Sequence, residues 1–112
     1  METINWNDFE KVELRVGTII DVKDFHEARK PAYQVFIDFG KALGIKKSSA
    51  QITKLYEKEA LIGKQVIGVI NFPRKQIGPF MSECLITGFV QADGSVVLAV
   101  PDKEVENGLK LA

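Results

Sequence analysis

The sequence predicts an all-β fold, a small five-stranded Greek-key barrel with short helical turns. Three observations carry this expectation. A run from Val12 to Phe25 alternates with period two, the mark of a long half-buried strand. Further β-branched and aromatic runs follow it, each bounded by polar, Gly- or Pro-containing turns. The chain has 112 residues, 46% of them apolar and 27% charged, which suits one globular domain of ordinary composition.

The elements follow in order. Asn7-Asp8-Phe9-Glu10-Lys11 reads as one helical turn with Asn5 or Asn7 as its N-cap. In the first strand Val12, Leu14, Val16, Thr18, Ile20 and Val22 fall on one face, and Glu13, Arg15, Gly17, Ile19, Asp21 and Lys23 on the other. Gly17 inside this strand marks a bend or bulge, the device by which small barrels turn corners. His26 to Pro31 is a polar loop, Tyr33–Phe39 the second strand, and Ile45–Ser49 a short third one after a turn at Gly40 and Gly44. Gln51–Tyr56 reads as a helical turn with Leu61 and Ile62 packing beneath it, in the place where barrels of the OB type insert a helix. Val66–Ile70 is apolar throughout and suits a buried strand. Residues 71–79 carry two prolines and a glycine and read as irregular. Met81–Gln91 resumes as a strand, Asp93-Gly94 signals a hairpin, and Val96–Val100 returns. Residues 1–7 are a lead-in and 8–112 the domain, with Val105, Leu109 and Leu111 giving its tail an apolar edge.

Composition narrows the function classes. No segment approaches the length of a membrane helix, and the start has neither a basic nor an apolar leader region, so no membrane insertion and a cytoplasmic location are expected. One cysteine, Cys84, leaves no internal disulfide and no multi-cysteine zinc site. With His26 it forms no convincing dyad: a core thiol and a surface imidazole is the favoured reading. No nucleophile elbow, phosphate loop, metal pattern or dinucleotide fingerprint is present. Glu57/Glu59 and Glu104/Glu106 lie on polar segments and read as solvated. A binding protein without catalytic residues, metal or cofactor is therefore expected.

Net charge is zero but unevenly spread. Residues 1–28 carry a net −4, residues 29–75 a net +7 and residues 76–112 a net −3. The middle third predicts a basic face for an anionic partner. Within it, Lys46, Lys47, Gln51 and Lys54 suit phosphate and sugar contacts, though lysine also protects edge strands. Phe72, Arg74, Lys75, Ile77, Phe80, Met81 and Ser82 interleave aromatic, basic and small residues around an irregular loop. An exposed aromatic there can stack on a base, or Phe72 and Phe80 can plug the barrel end, as at least one of them is expected to do.

Three blocks in order resemble the tRNA-binding domain family: Glu13-Leu14-Arg15-Val16-Gly17-Thr18-Ile19, then Ser48-Ser49-Ala50-Gln51-Ile52 with Gly63-Lys64-Gln65-Val66, then Asn71-Phe72-Pro73-Arg74-Lys75-Gln76-Ile77-Gly78 with Ser82-Glu83. The resemblance spans residues 8–112. Ala28-Arg29-Lys30-Pro31-Ala32-Tyr33, Lys46 to Tyr56 and Phe80-Met81-Ser82-Glu83 are similar in particular to the family's stand-alone branch of CsaA-type export chaperones. It implies an OB-fold homodimer that holds unfolded or precursor polypeptides and contacts the SecA translocation motor, with tRNA as the alternative ligand. His26-Glu27 replaces the His-Pro of many tRNA-binding relatives, and Cys84-Leu85 replaces their Gly-Met. Both departures count against tight tRNA binding.

Two ligand sets follow. For polypeptide, Phe72, Ile77, Phe80 and Met81 line an apolar groove. For RNA, Lys46, Lys47, Gln51, Lys54, Arg74, Lys75 and Ser82 hold phosphates and sugars.

Overall fold

A computed structural model describes residues 1–112. Strands β1 (Leu14–Asp24), β2 (Tyr33–Asp38), β3 (Ile45–Ala50), β4 (Gln65–Val69) and β7 (Leu85–Ile86) form one antiparallel sheet in the order β3-β2-β1-β4-β7. The sheet curls into the expected, nearly closed five-stranded barrel. Two small hairpins extend it, β5 (Lys75–Ile77) with β6 (Phe80–Ser82) and β8 (Gly88–Val90) with β9 (Val96–Leu98). Helices are short: α1 (Trp6–Glu10) and α2 (Lys58–Leu61). No helix is long and apolar enough to cross a membrane.

Two strands differ in detail from the sequence expectation. In β1, pairing with β2 skips Ile20: Ile19 faces Ile37 and Asp21 faces Phe36. One extra residue in a period-two strand reverses which side chains face inward. Ile19 is therefore fully buried and Ile20 is 44% exposed, the reverse of their expected faces. The bulge sits at Ile20 and not at Gly17.

Gly17 has a different task. A Cβ there would lie 2.6 Å from Ile37 Cγ2, 2.8 Å from Phe39 Cδ1 and 3.0 Å from the Asp38 carbonyl oxygen. Gly68 on the neighbouring β4 is as tight, with its Cβ position 2.9 Å from Phe39 Cζ. The Phe39 ring, 1% exposed, thus lies across two bare stretches of backbone. Around it pack Ile19, Val35, Ile37, Leu61 and Val66, all fully buried.

The second difference is in the latter half. Residues 81–91 do not run as one strand but break at Glu83-Cys84 and again at Thr87. Residues 75–77, expected to be irregular, pair with β6 across the Gly78-Pro79 turn. The helix expected over 51–56 forms instead at 58–61, where Leu61 enters the core while Ile62 stays exposed. Two tyrosines fix the 51–56 segment: the Tyr33 hydroxyl donates to the Tyr56 carbonyl (2.8 Å), and the Leu98 N–H donates to the Tyr56 hydroxyl (3.0 Å). At the start of the chain, α1 takes Asn5 as N-cap, with Asp8 completing a capping box.

The tail is part of the barrel. β4 occupies one edge of residues 14–18 of β1, and β2 covers the other edge only from Thr18 onward. Residues 108–111 fill the gap: the Gly108 N–H donates to the Val16 carbonyl, the Val16 N–H to the Leu109 carbonyl and the Leu111 N–H to the Leu14 carbonyl, at 2.8–3.1 Å. Charges clamp this segment. Arg15 donates to the Gly108 carbonyl (2.9 Å) and pairs with Glu13 (2.8 Å), whose other oxygen takes Lys110 (3.0 Å). Hydrogen bonds first from Arg15 and then from Lys110 hold the Glu13 carboxyl below the usual glutamate range. Cutting the chain after Pro101 would strip these bonds from β1, so point substitutions probe the tail more cleanly.

Gly17→Ala is expected to lower unfolding free energy by about 1–3 kcal/mol, the usual cost of overpacking. Urea denaturation checks this, and a loss below about 0.5 kcal/mol would contradict the close approach. Because Glu13 is more acidic when folded, its contribution is complete above the ordinary glutamate value and vanishes as pH falls through the lowered one. Glu13→Gln should therefore lower the urea midpoint at about pH 7, and the gap to the wild type should narrow as the pH is taken below the ordinary glutamate value.

Candidate binding groove

The barrel closes on one side only in part. Along its outer edge, β3 is stitched to residues 82–84 by side chains as much as by backbone. The Lys47 N–H donates to Glu83 Oε1 (3.1 Å) and the Glu83 N–H to the Lys47 carbonyl (2.8 Å). The Ser49 N–H donates to Ser82 Oγ (3.2 Å), and Ser48 Oγ, buried, donates to the Cys84 carbonyl (2.8 Å). Beyond Ser49 the two sides diverge and leave a groove.

Two hollows, of about 400 and 500 Å³, share Ser49, Gln51 and Leu85 as lining residues and so adjoin along this edge. The first lies beside the β5–β6 hairpin, with Phe72, Pro73, Ile77 and Leu85 as apolar walls and Gln51, Lys75 and Ser82 as polar ones. The second runs between residues 49–52 and β8, floored by Ile52, Leu85, Ile86 and Val96. Phe72 is 56% exposed at the mouth.

The structure sorts the sequence candidates. Gln51, Lys75, Ser82, Phe72 and Ile77 meet in the first hollow. Phe80 does not line it: at 5% exposure it is buried against Phe25 and Phe36, with ring centroids 5.4 and 6.5 Å away. It plugs the barrel end, and the polypeptide set loses it. Met81 is half-buried on β6 and lines neither hollow. Lys47 spans the Phe80 ring, with Nζ 5.2 Å from its centroid. Arg74 is exposed and reaches Glu83 at 3.7 Å. Lys46 alternates onto the Ser48 side of β3, where its charge is felt by Cys84. Lys54 is anchored elsewhere, donating to the Asp93 carbonyl (2.6 Å) at the hairpin tip.

The basic middle third is not gathered on one face. Lys58 pairs with Asp24 at 2.7 Å, and Lys64 lines a separate hollow with Gln65 and Lys103. His26 is exposed and lines a third hollow with Arg29 and Thr53, away from Cys84. Gly88 and Val90 line the groove without standing out in the sequence. Only the alternation of β3 continued past Ser49 could have pointed to its edge.

The groove suits binding more than bond chemistry. Cys84 is the one thiol on its wall, and burial pushes it up to about 12, so it stays protonated. No three His, Cys, Asp or Glu side chains converge to hold a metal ion. Polar rim groups and an apolar floor can instead take an extended chain. Native Cys84 should react with a thiol reagent at about pH 7.5 more than about 100-fold more slowly than in the urea-unfolded chain. Equal rates, read by mass spectrometry, would contradict its burial.

Comparison with known proteins agrees with this architecture. A family model described as a putative tRNA binding domain matches residues 14–110. The methionine–tRNA ligase of Pyrococcus horikoshii is 38% identical over 111 residues, which cover 99% of this chain. The chain spans only 15% of that relative's length. Among solved structures, the chaperone CsaA of Bacillus anthracis is 48% identical with a TM-score of 0.93, covering 99% of this chain and all of that one. The CsaA chaperone protein of Picrophilus torridus is 52% identical with a TM-score of 0.91, covering 98% of this chain and all of that one.

Proposed function

The chain belongs to the putative tRNA binding domain family, and from that premise we propose that it is a chaperone that holds unfolded polypeptide in the groove beside β3. The observation that carries this reading is the pair of adjoining hollows lined by apolar side chains together with Ser49, Gln51, Lys75 and Ser82. Apolar walls favour any exposed hydrophobic stretch, which is what a chaperone must recognise without a fixed sequence. Likeness along the full length to two CsaA chaperone structures supports it. The proposed role is binding alone, with no catalytic step and in the cytoplasm, and it includes handover of the client to the SecA translocation motor.

We also propose that it works as a homodimer. As many large apolar side chains lie exposed as apolar residues lie buried, 17 of each. A mostly apolar hollow of about 310 Å³ is lined by Val16, Val100, Val105, Leu109 and Leu111, where tail meets β1. A second copy over this face would bury what a domain of this size cannot.

A second reading, tRNA binding, is favoured by the family description and by Lys75, Gln51 and Ser82 on one rim. The two are separated by one pair of assays. The chaperone reading predicts that equimolar dimer suppresses aggregation of a denatured client, and that Phe72→Ser with Ile77→Ser weakens this several-fold. No suppression overturns it. The tRNA reading predicts affinity that falls steeply with salt, the slope dropping by about one unit in Lys75→Ala.

A further inference from the structure

A free strand edge opens into the second half of the groove. β8 pairs with β9 in the register Gly88–Leu98, Phe89–Val97 and Val90–Val96. Bonds flanking the ladder fix which residues use it. The Ala99 N–H donates to the Thr87 carbonyl (3.2 Å), and the Gln91 N–H to the Ser95 carbonyl (2.8 Å). Bonded and non-bonded pairs alternate along an antiparallel ladder. Phe89–Val97 is therefore the bonded pair between them, and the N–H and C=O groups of Gly88 and Val90 point away from β9. Leu98 agrees, since its N–H turns away to Tyr56.

Gly88 and Val90 both line the groove. Across from them runs the outer edge of β3, where Lys47 and Ser49 turn their N–H groups away from β2 and onto Glu83 and Ser82. Gln51, two residues beyond Ser49, continues this edge where those partners have ended. The groove thus has unpaired main chain on its β8 side and a floor of apolar side chains.

We propose that the groove takes an extended stretch of unfolded polypeptide as an added β-strand, bonded through its main chain to Gly88 and Val90. This rests on the polypeptide reading above and specifies how such a client is held. Main-chain bonds are the same for every sequence, so strand addition gives affinity without selecting one client. Alternate side chains of the added strand drop onto Ile52, Ile86 and Val96, which selects for apolar residues at every second position. Gly88, Phe89 and Val90 are all exposed, so the edge is open to an incoming extended chain. At the far end Lys75 makes no ion pair, so a carboxylate there suits the occupant. Five residues from Ile86 to Val90 correspond to about 17 Å of extended chain.

The test uses a fluorescent peptide of about seven residues, alternating Val and Thr with one terminal Glu, and two versions N-methylated at either alternate set of amides. On the full chain, one methylated version should bind about 10-fold or more weakly and the other close to the parent, because only one edge of the added strand meets β8. Val90→Pro removes a groove-facing N–H and no ladder bond, a position where an edge strand tolerates proline. It should weaken the parent peptide to a similar degree with an unchanged melting profile. Equal binding of all three peptides to the wild type would overturn strand addition even if Val90→Pro misfolds. In that case continued suppression of client aggregation leaves the chaperone reading standing. If no peptide binds and aggregation is not suppressed, both fall. If Val90→Pro turns a dimer into a monomer in sedimentation, the edge belongs to a contact between copies and the proposal is overturned.

Discussion

Much of this structure depends on one packing constraint, the Phe39 ring laid across the bare backbones of Gly17 and Gly68. The two glycines sit on β1 and β4, which pair directly, and the ring follows β2. Three strands are thereby drawn to one point inside the barrel. The tail joins them there: a Cβ on Gly108 would lie 2.7 Å from the Phe39 carbonyl oxygen, and that glycine has a φ of +95°. From that point residues 108–111 extend along β1, and Glu13, Arg15 and Lys110 fasten them. The Arg-Val-Gly stretch at 15–17 thus works inside the fold: Arg15 holds the tail, Val16 is buried beneath it and Gly17 admits the ring.

The groove arises where this tight closure ends. On the Gly17 side both edges of β1 are used, by β4 on one and by β2 and the tail on the other. On the opposite side, β3 meets residues 82–84, where Ser48, Ser82 and Glu83 supply side chains in place of a regular ladder. Past Ser49 no such partners remain, and β7 and β8 turn off to the hairpin. A barrel sealed on one side and parted on the other leaves an apolar floor and unpaired main chain in one place. A groove built this way recognises shape and apolar content and not one sequence.

Much of the fold was legible because it follows local rules. Period-two alternation located β1, β-branched, aromatic and apolar runs located β2 to β4, the Asp93-Gly94 pair marked the β8–β9 turn, and Asn5 was among the expected caps. The phase of β1 was not legible, because a bulge at Ile20 depends on pairing with β2 and leaves no mark in β1 alone. Gly17 drew notice as a bend or bulge, but its actual task is to admit a ring 22 residues away along the chain. Composition had singled out Gln51, Phe72, Lys75, Ile77 and Ser82, and the structure places all five around one hollow. Phe80 could not be told from Phe72, since both are aromatic neighbours of one loop and only the barrel end decides which is enclosed. Gly88 and Val90 escaped because a main-chain edge has no sequence signature.

The central claim is that ligand enters the parted seam. Backbone amide shifts recorded by NMR while an unfolded polypeptide is added test it most directly. Changes are expected to concentrate at Ser49, Gln51, Leu85, Gly88 and Val90 and to be small around Phe39. Changes confined to the His26–Arg29 loop or to the tail at 108–111, with the seam unmoved, would contradict it.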